Sequence, residues 1–131
     1  MNIGTRLSER PPRLLLVDDD ERFASIVGGM LEDDGYNVVG IVTRAVDVPG
    51  AAGELAPDLV ILDLVLADGD GLMVADWLRQ DGHDGPILLF SSLWDSRIER
   101  ATVEEGYGYV QKVDGIDALE AAIEAALPEA V

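Results

Sequence analysis

Three aspartates in a row, Asp18-Asp19-Asp20, follow one short apolar run, and a fourth, Asp63, closes another. Carboxylates held within a few ångströms of one another repel, so such a group persists only when something positive neutralises it. The set offers oxygen, and the chain has no cysteine. A hard cation therefore suits it, magnesium ahead of calcium. Magnesium usually takes one or two carboxylates, waters and a phosphate oxygen. A carboxylate can also act as nucleophile and carry an aspartyl-phosphate. Two further apolar runs end in groups suited to phosphate: the Ser91 hydroxyl can hydrogen-bond a phosphoryl oxygen, and the Lys112 ammonium can pair with it as a point charge. Singly, each has a plainer reading, since Asp-Asp after a strand is often a helix cap with a solvated neighbour. Their conjunction is what points to phosphoryl chemistry.

The elements that would position these groups alternate. Arg13–Val17, Asn37–Val42, Leu59–Leu62, Ile87–Ser91 and Tyr107–Gln111 are short apolar runs bounded by turn residues, the pattern of buried strands. Between them the period becomes helical. Phe23, Ile26, Val27, Met30 and Leu31 form one stripe, with Asp20 as N-cap and Gly35 as stop. Val46–Ala56 holds Pro49, Gly50 and Gly53 and is expected to be short or frayed. Asp70 caps a helix containing Leu72, Met73, Ala75, Trp77 and Leu78, with Met73 and Trp77 assigned to the core. A loop over Asp81–Pro86 follows. Asp95–Glu105 is a helix with few apolar positions, Ile98, Ala101 and Val103, stopped by Gly106. Ile116, Leu119, Ile123 and Leu127 stripe the last helix. The fold class is α/β, a (βα)5 doubly wound parallel five-stranded sheet of order 2-1-3-4-5. That order puts the first and third strands side by side, so Asp18, Asp19 and Asp63 share one crevice at the switch point. Residues 1–12 are expected to be a loose tail, 13–127 one domain and 128–131 a second tail.

The 131 residues are 48% hydrophobic with a net charge of −17, which suits one folded domain and disfavours direct contact with nucleic acid or anionic membranes. No apolar stretch approaches the roughly 20 residues that span a bilayer. Met1–Arg10 lacks the apolar core of a signal peptide. The expected setting is cytoplasmic.

The motifs LLLVDDDERF, PDLVILDLVLADGDGL, GPILLFSS and GYVQK, in that order and spacing, resemble the receiver domain of response regulators in two-component signalling. The resemblance covers Arg13 to Leu127. It implies the flavodoxin-like receiver fold and matches Asp18 and Asp19 to the family's acidic pair and Asp63 to its phosphoacceptor. Val65 takes the position whose backbone carbonyl binds Mg2+, Ser91 that of the Ser/Thr, Lys112 that of the lysine and Tyr109 that of the switch aromatic. The implied partners are a sensor histidine kinase or phosphotransfer protein as donor and a downstream protein that the sequence does not identify. A homodimer is left open. His83 is the only histidine, and topology sets it far from the crevice, so the donor must be a separate protein. After transfer, Ser91 would approach the phosphoryl group and Tyr109 would turn inward. The resemblance implies a signalling switch, not an enzyme.

Four departures from the family pattern stand out. Ala67 and Val113 occupy positions where proline is common, and Glu104-Glu105-Gly106 replaces a small-residue segment, arguing against a hydrophobic dimer through that face. Val65 and Leu93 put apolar side chains where polar ones can orient hydrolytic water, which suggests a long-lived phosphoryl group. Trp94 is expected to pack on its own helix or to contact a partner. The alternative to a phosphorylated receiver is a pseudo-receiver that binds without being phosphorylated. A haloacid-dehalogenase-like phosphatase with Asp18 as nucleophile is disfavoured by Asp20-Glu21-Arg22. A flavodoxin is disfavoured by the lack of a Ser/Thr/Gly-rich phosphate loop.

Overall fold

The structure is a computed structural model that describes residues 10–128; most of the expected N-terminal tail and the last three residues lie outside them. Five strands, β1 (Arg13–Val17), β2 (Asn37–Val42), β3 (Leu59–Leu62), β6 (Ile87–Ser91) and β7 (Gly108–Gln111), form one parallel sheet in the order β2-β1-β3-β6-β7. In chain order of the main strands this is 2-1-3-4-5, as expected. A two-stranded antiparallel ladder, β4 (Val65–Leu66) with β5 (Gly69–Asp70), was not legible from the sequence, because two-residue strands carry no period. The helices are α1 (Glu21–Asp33), α2 (Val48–Leu55), α3 (Gly71–Gln80), α4 (Ser96–Glu105) and α5 (Gly115–Ala126).

Successive strand side chains point to opposite faces, and the sheet uses both. Leu14, Leu16, Leu59, Ile61, Leu88, Phe90 and Val110 meet Ala24, Val27 and Leu31 of α1 and Leu119 and Ile123 of α5. Leu15, Val17, Val60, Leu62, Ile87 and Leu89 meet Val48 and Ala52 of α2, Val74, Ala75 and Leu78 of α3 and Ile98 of α4. Truncating one such buried leucine to alanine costs about 2–5 kcal/mol. A sheet covered on both faces has no polar-out alternation, which is why its strands read as unbroken apolar runs.

The Asp20 and Asp70 caps are as read, and Asp95, read as the first residue of its helix, is its cap. Asp20 Oδ1 accepts from Phe23 N at 3.1 Å, Asp70 Oδ1 from Leu72 N at 2.8 Å and Asp95 Oδ1 from Ile98 N at 3.0 Å. The Val46–Ala56 segment divides into a 3-10 turn over Ala45–Asp47 and the eight residues of α2, ending at Ala56 in the left-handed region. The core assignment of Met73 is corrected: it is 37% exposed, and of the other apolar helix positions Ile26, Met30 and Val103 are exposed too, at 55%, 45% and 78%. The apolar stripe of a helix is narrower than the set of its apolar residues, and these four lie outside the part that meets the sheet. Trp77 does pack against the core, half-buried. The last strand begins at Gly108, not at Tyr107.

Candidate functional site

The sheet ladder sets the acids. Asp18 N donates to Val42 O of β2 at 3.0 Å, and Asp63 N donates to Val17 O of β1 at 3.0 Å. Each carboxylate therefore leaves the carboxyl end of its own strand with its backbone tied to the neighbour. Asp18, Asp19 and Asp63 each offer an oxygen within 4.8 Å of the others. Asp18 and Asp63 are 4% and 6% exposed, and Asp19 faces solvent.

The two buried carboxylates are treated alike. Asp18 Oδ1 accepts from Asp20 N at 2.9 Å, and Asp63 Oδ1 accepts from Val65 N at 3.3 Å, each two residues ahead. Their other oxygens both meet Lys112 Nζ, at 2.7 Å for Asp18 Oδ2 and 2.9 Å for Asp63 Oδ2. Burial pushes the Asp18 carboxyl above its ordinary value; the Asp63 charge adds to this, and Lys112 and the Asp20 N–H oppose it. Burial works against the Lys112 charge, but bonds to Asp18 and Asp63 outweigh it and hold the ammonium above its ordinary value. One lysine faces two buried carboxylates and a third at the rim, so the site retains a negative excess. Three carboxylates and no nitrogen or sulfur ligand make an oxygen-donor set that fits a hard divalent cation.

Ser91, 1% exposed, ends β6, and its Oγ accepts from Leu93 N at 3.3 Å. Tyr109, on β7, donates its hydroxyl to Leu93 O at 2.7 Å, with Ser91 O at 3.3 Å. Its ring lies against Trp94, with centroids 4.6 Å apart. Tyr109 thus reaches onto the loop after Ser91. Trp94, 44% exposed, packs its ring on Tyr109. His83 lies between α3 and β6 beside a cavity of about 840 Å³ lined also by Arg10, Pro12, Asp58 and Pro86, at the end of the sheet away from the carboxylates. Burial pushes its imidazole down, with Arg79 contributing.

Sequence reasoning missed Gly71. It opens α3, its N–H donates to Leu64 O at 2.9 Å, and a Cβ there would stand 2.3 Å from Asp63 O. Only a residue without a side chain lets α3 start this close to Asp63. The available signal was the run Asp68-Gly69-Asp70-Gly71, in which only Asp70 was given a role, as the helix cap. Phe23, read as part of the α1 stripe, has its ring 4.7 Å from Lys112 Nζ.

Comparison with known proteins agrees with this geometry. A family model described as the response regulator receiver domain matches residues 14–124. The uncharacterized transcriptional regulatory protein YvcP of Bacillus subtilis is 36% identical over 118 residues, 88% of this chain and 48% of YvcP. The nitrogen assimilation regulatory protein NtrX of Azorhizobium caulinodans is 31% identical over 87% of this chain and 26% of NtrX. The chain thus spans about a quarter to a half of these relatives. Among solved structures, a two-component response regulator of the LuxR family from Aurantimonas sp. superposes with TM-score 0.80 at 31% identity, covering 88% of this chain and 84% of that one. The BeF3-activated N-terminal receiver domain of Klebsiella pneumoniae RstA gives TM-score 0.80 at 26% identity, covering 89% and 99%. No helix among the described residues is long and apolar enough to cross a membrane.

Proposed function

The chain belongs to the response regulator receiver family of two-component systems, and from that premise we propose that Asp63 accepts a phosphoryl group from a phosphohistidine on a separate kinase or phosphotransfer protein. An Asp63 carboxylate oxygen attacks phosphorus in line. The P–N bond breaks, its electron pair goes to the imidazole nitrogen, and an acyl phosphate remains. Lys112, already on Asp63, neutralises charge on the transferring group, and the Ser91 hydroxyl donates to one of its oxygens. Asp18, Asp19 and Asp63, with the Val65 backbone carbonyl, are the residues that would hold Mg2+. When bound, the ion supplies positive charge against the phosphoryl oxygens and the three carboxylates.

The observation that carries this reading is the single lysine bridging two buried carboxylates beside an exposed third. Retention of that arrangement argues against a pseudo-receiver. The output is a protein contact around β6, α4 and β7, where the loop after Ser91 carries Tyr109 and Trp94. Val65 and the half-buried Leu93 bring no polar group to hydrolytic water, so the acyl phosphate is expected to hydrolyse slowly, as a phosphate-release assay would read. The primary test is acetyl phosphate with Mg2+ followed by intact mass. One phosphoryl group is expected on the native chain and none on Asp63→Asn or with Mg2+ chelated. A native chain that stays unmodified under these conditions refutes the proposal.

A further inference from the structure

Lys112 is held on three sides. Two are Asp18 and Asp63; the third is the Phe23 ring, whose centroid is 4.7 Å from Nζ. The ring is itself fixed. It stacks on Phe90 with centroids 6.1 Å apart at 27°, and Phe90 is buried in β6. Its backbone N–H is bound by the Asp20 cap at the first turn of α1. A cation over an aromatic face is drawn to the negative centre of the ring, more strongly as water is excluded. The Lys112 side chain is only 20% exposed.

The two carboxylate contacts are the ones the reaction disturbs. On becoming an acyl phosphate, Asp63 no longer carries its charge on the carboxylate oxygens but on the phosphoryl oxygens, and Asp18 must share its oxygens with the cation. The ring is the contact that the chemistry leaves unchanged. We propose that Phe23 is a positioning residue for Lys112: its ring face keeps the ammonium at the reacting edge while Asp18 and Asp63 change partners. The inference rests on the phosphoacceptor reading above and adds to it a residue that touches neither the cation nor the phosphoryl group. If Phe23 only fills space, its bulk matters. If it positions Lys112, the electron density of its ring matters.

That difference is measurable on the full chain. Phe23 is replaced by mono-, di- and trifluorinated phenylalanine, which keep the shape and progressively weaken the ring's negative face, and by Phe23→Leu and Phe23→Tyr. Two quantities are read: phosphoryl incorporation from acetyl phosphate with Mg2+ by intact mass, and the NMR shifts of the Lys112 ε-methylene protons without phosphodonor. The rate is expected to fall stepwise with fluorination and to be about fivefold lower in Phe23→Leu, with Tyr near the native rate. Phe23→Leu should add nothing to the loss caused by Lys112→Met. The ε-methylene protons should lie upfield in the native chain and return to ordinary positions in Phe23→Leu. Equal rates across the fluorinated series, or Lys112 shifts unmoved by Phe23→Leu, overturn the inference. The outcomes are separable. A native chain that takes up no phosphoryl group defeats the phosphoacceptor reading, while the shifts alone still decide whether the ring holds Lys112.

Discussion

Two acid clusters sit on this chain and solve the same problem differently. At the carboxyl edge of the sheet, Asp18 and Asp63 are buried with Lys112 between them. At the far end of α1, the Asp34 cap meets Glu120 of α5, and Asp117 and Glu124 also act on Glu120. Burial, then Asp34, then the other two acids push the Glu120 carboxyl up to about 7. Its buried Oε2 has no donor among the described residues, a situation that a proton shared with Asp34 relieves. One cluster has its charge partly offset by a fixed cation; in the other, neighbouring acids and burial favour the protonated form of one carboxyl. A fixed cation favours the charged form of carboxylates beside it, the form that binds metal and attacks phosphorus in the reading proposed above. A proton removes the charge and with it any such chemistry. Acidity alone therefore does not mark a site in a chain of net charge −17; the basic group set among the acids does.

The contrast breaks most sharply at Lys112. Lys112→Met leaves two buried carboxylates facing each other and should destabilise the fold by about 3 kcal/mol in urea melts. Added Mg2+ should recover more stability in this variant than in the native chain; equal Mg2+ effects would mean that the lysine and the metal do not share a role. Next is Gly71→Ala. Its Cβ would collide with Asp63 O, so a cost of about 2 kcal/mol is expected, together with slower phosphoryl uptake. A native rate would show that the carboxylate's placement tolerates movement of its backbone. The smallest effect is at the other cluster. Because Glu120 is raised in the folded state, its contribution is full below about pH 4.5 and is lost as pH rises toward 7. Glu120→Gln should flatten that part of the melting temperature against pH and leave the variant slightly more stable than the native chain above pH 7. Identical pH profiles would remove the second half of the comparison.

The sequence displayed the strand ends well because each strand is an uninterrupted apolar run closed by a polar group, Val17 by Asp18, Leu62 by Asp63, Phe90 by Ser91. Those junctions carry both the topology and the chemistry. What stayed hidden were contacts across the fold. Gly71 against Asp63 O, Phe23 under Lys112 and Trp94 on Tyr109 join residues remote in sequence, and none alters a local pattern. Periodicity also over-counted the buried faces. Met73 and Val103 fit a helical spacing, yet the sheet is too narrow to cover them, and both face water.

The close fit of α3 against Asp63 has one more consequence. The Asp63 main chain is fastened on one flank by its bond to Val17 O and walled on the other by Gly71, with no room even for a methyl group. On the reading proposed above, a phosphoryl group added to the side chain cannot be accommodated by a shift of this peptide toward α3, so one glycine contact leaves the adjustment to the side chains that would meet the new group, Ser91 and Lys112.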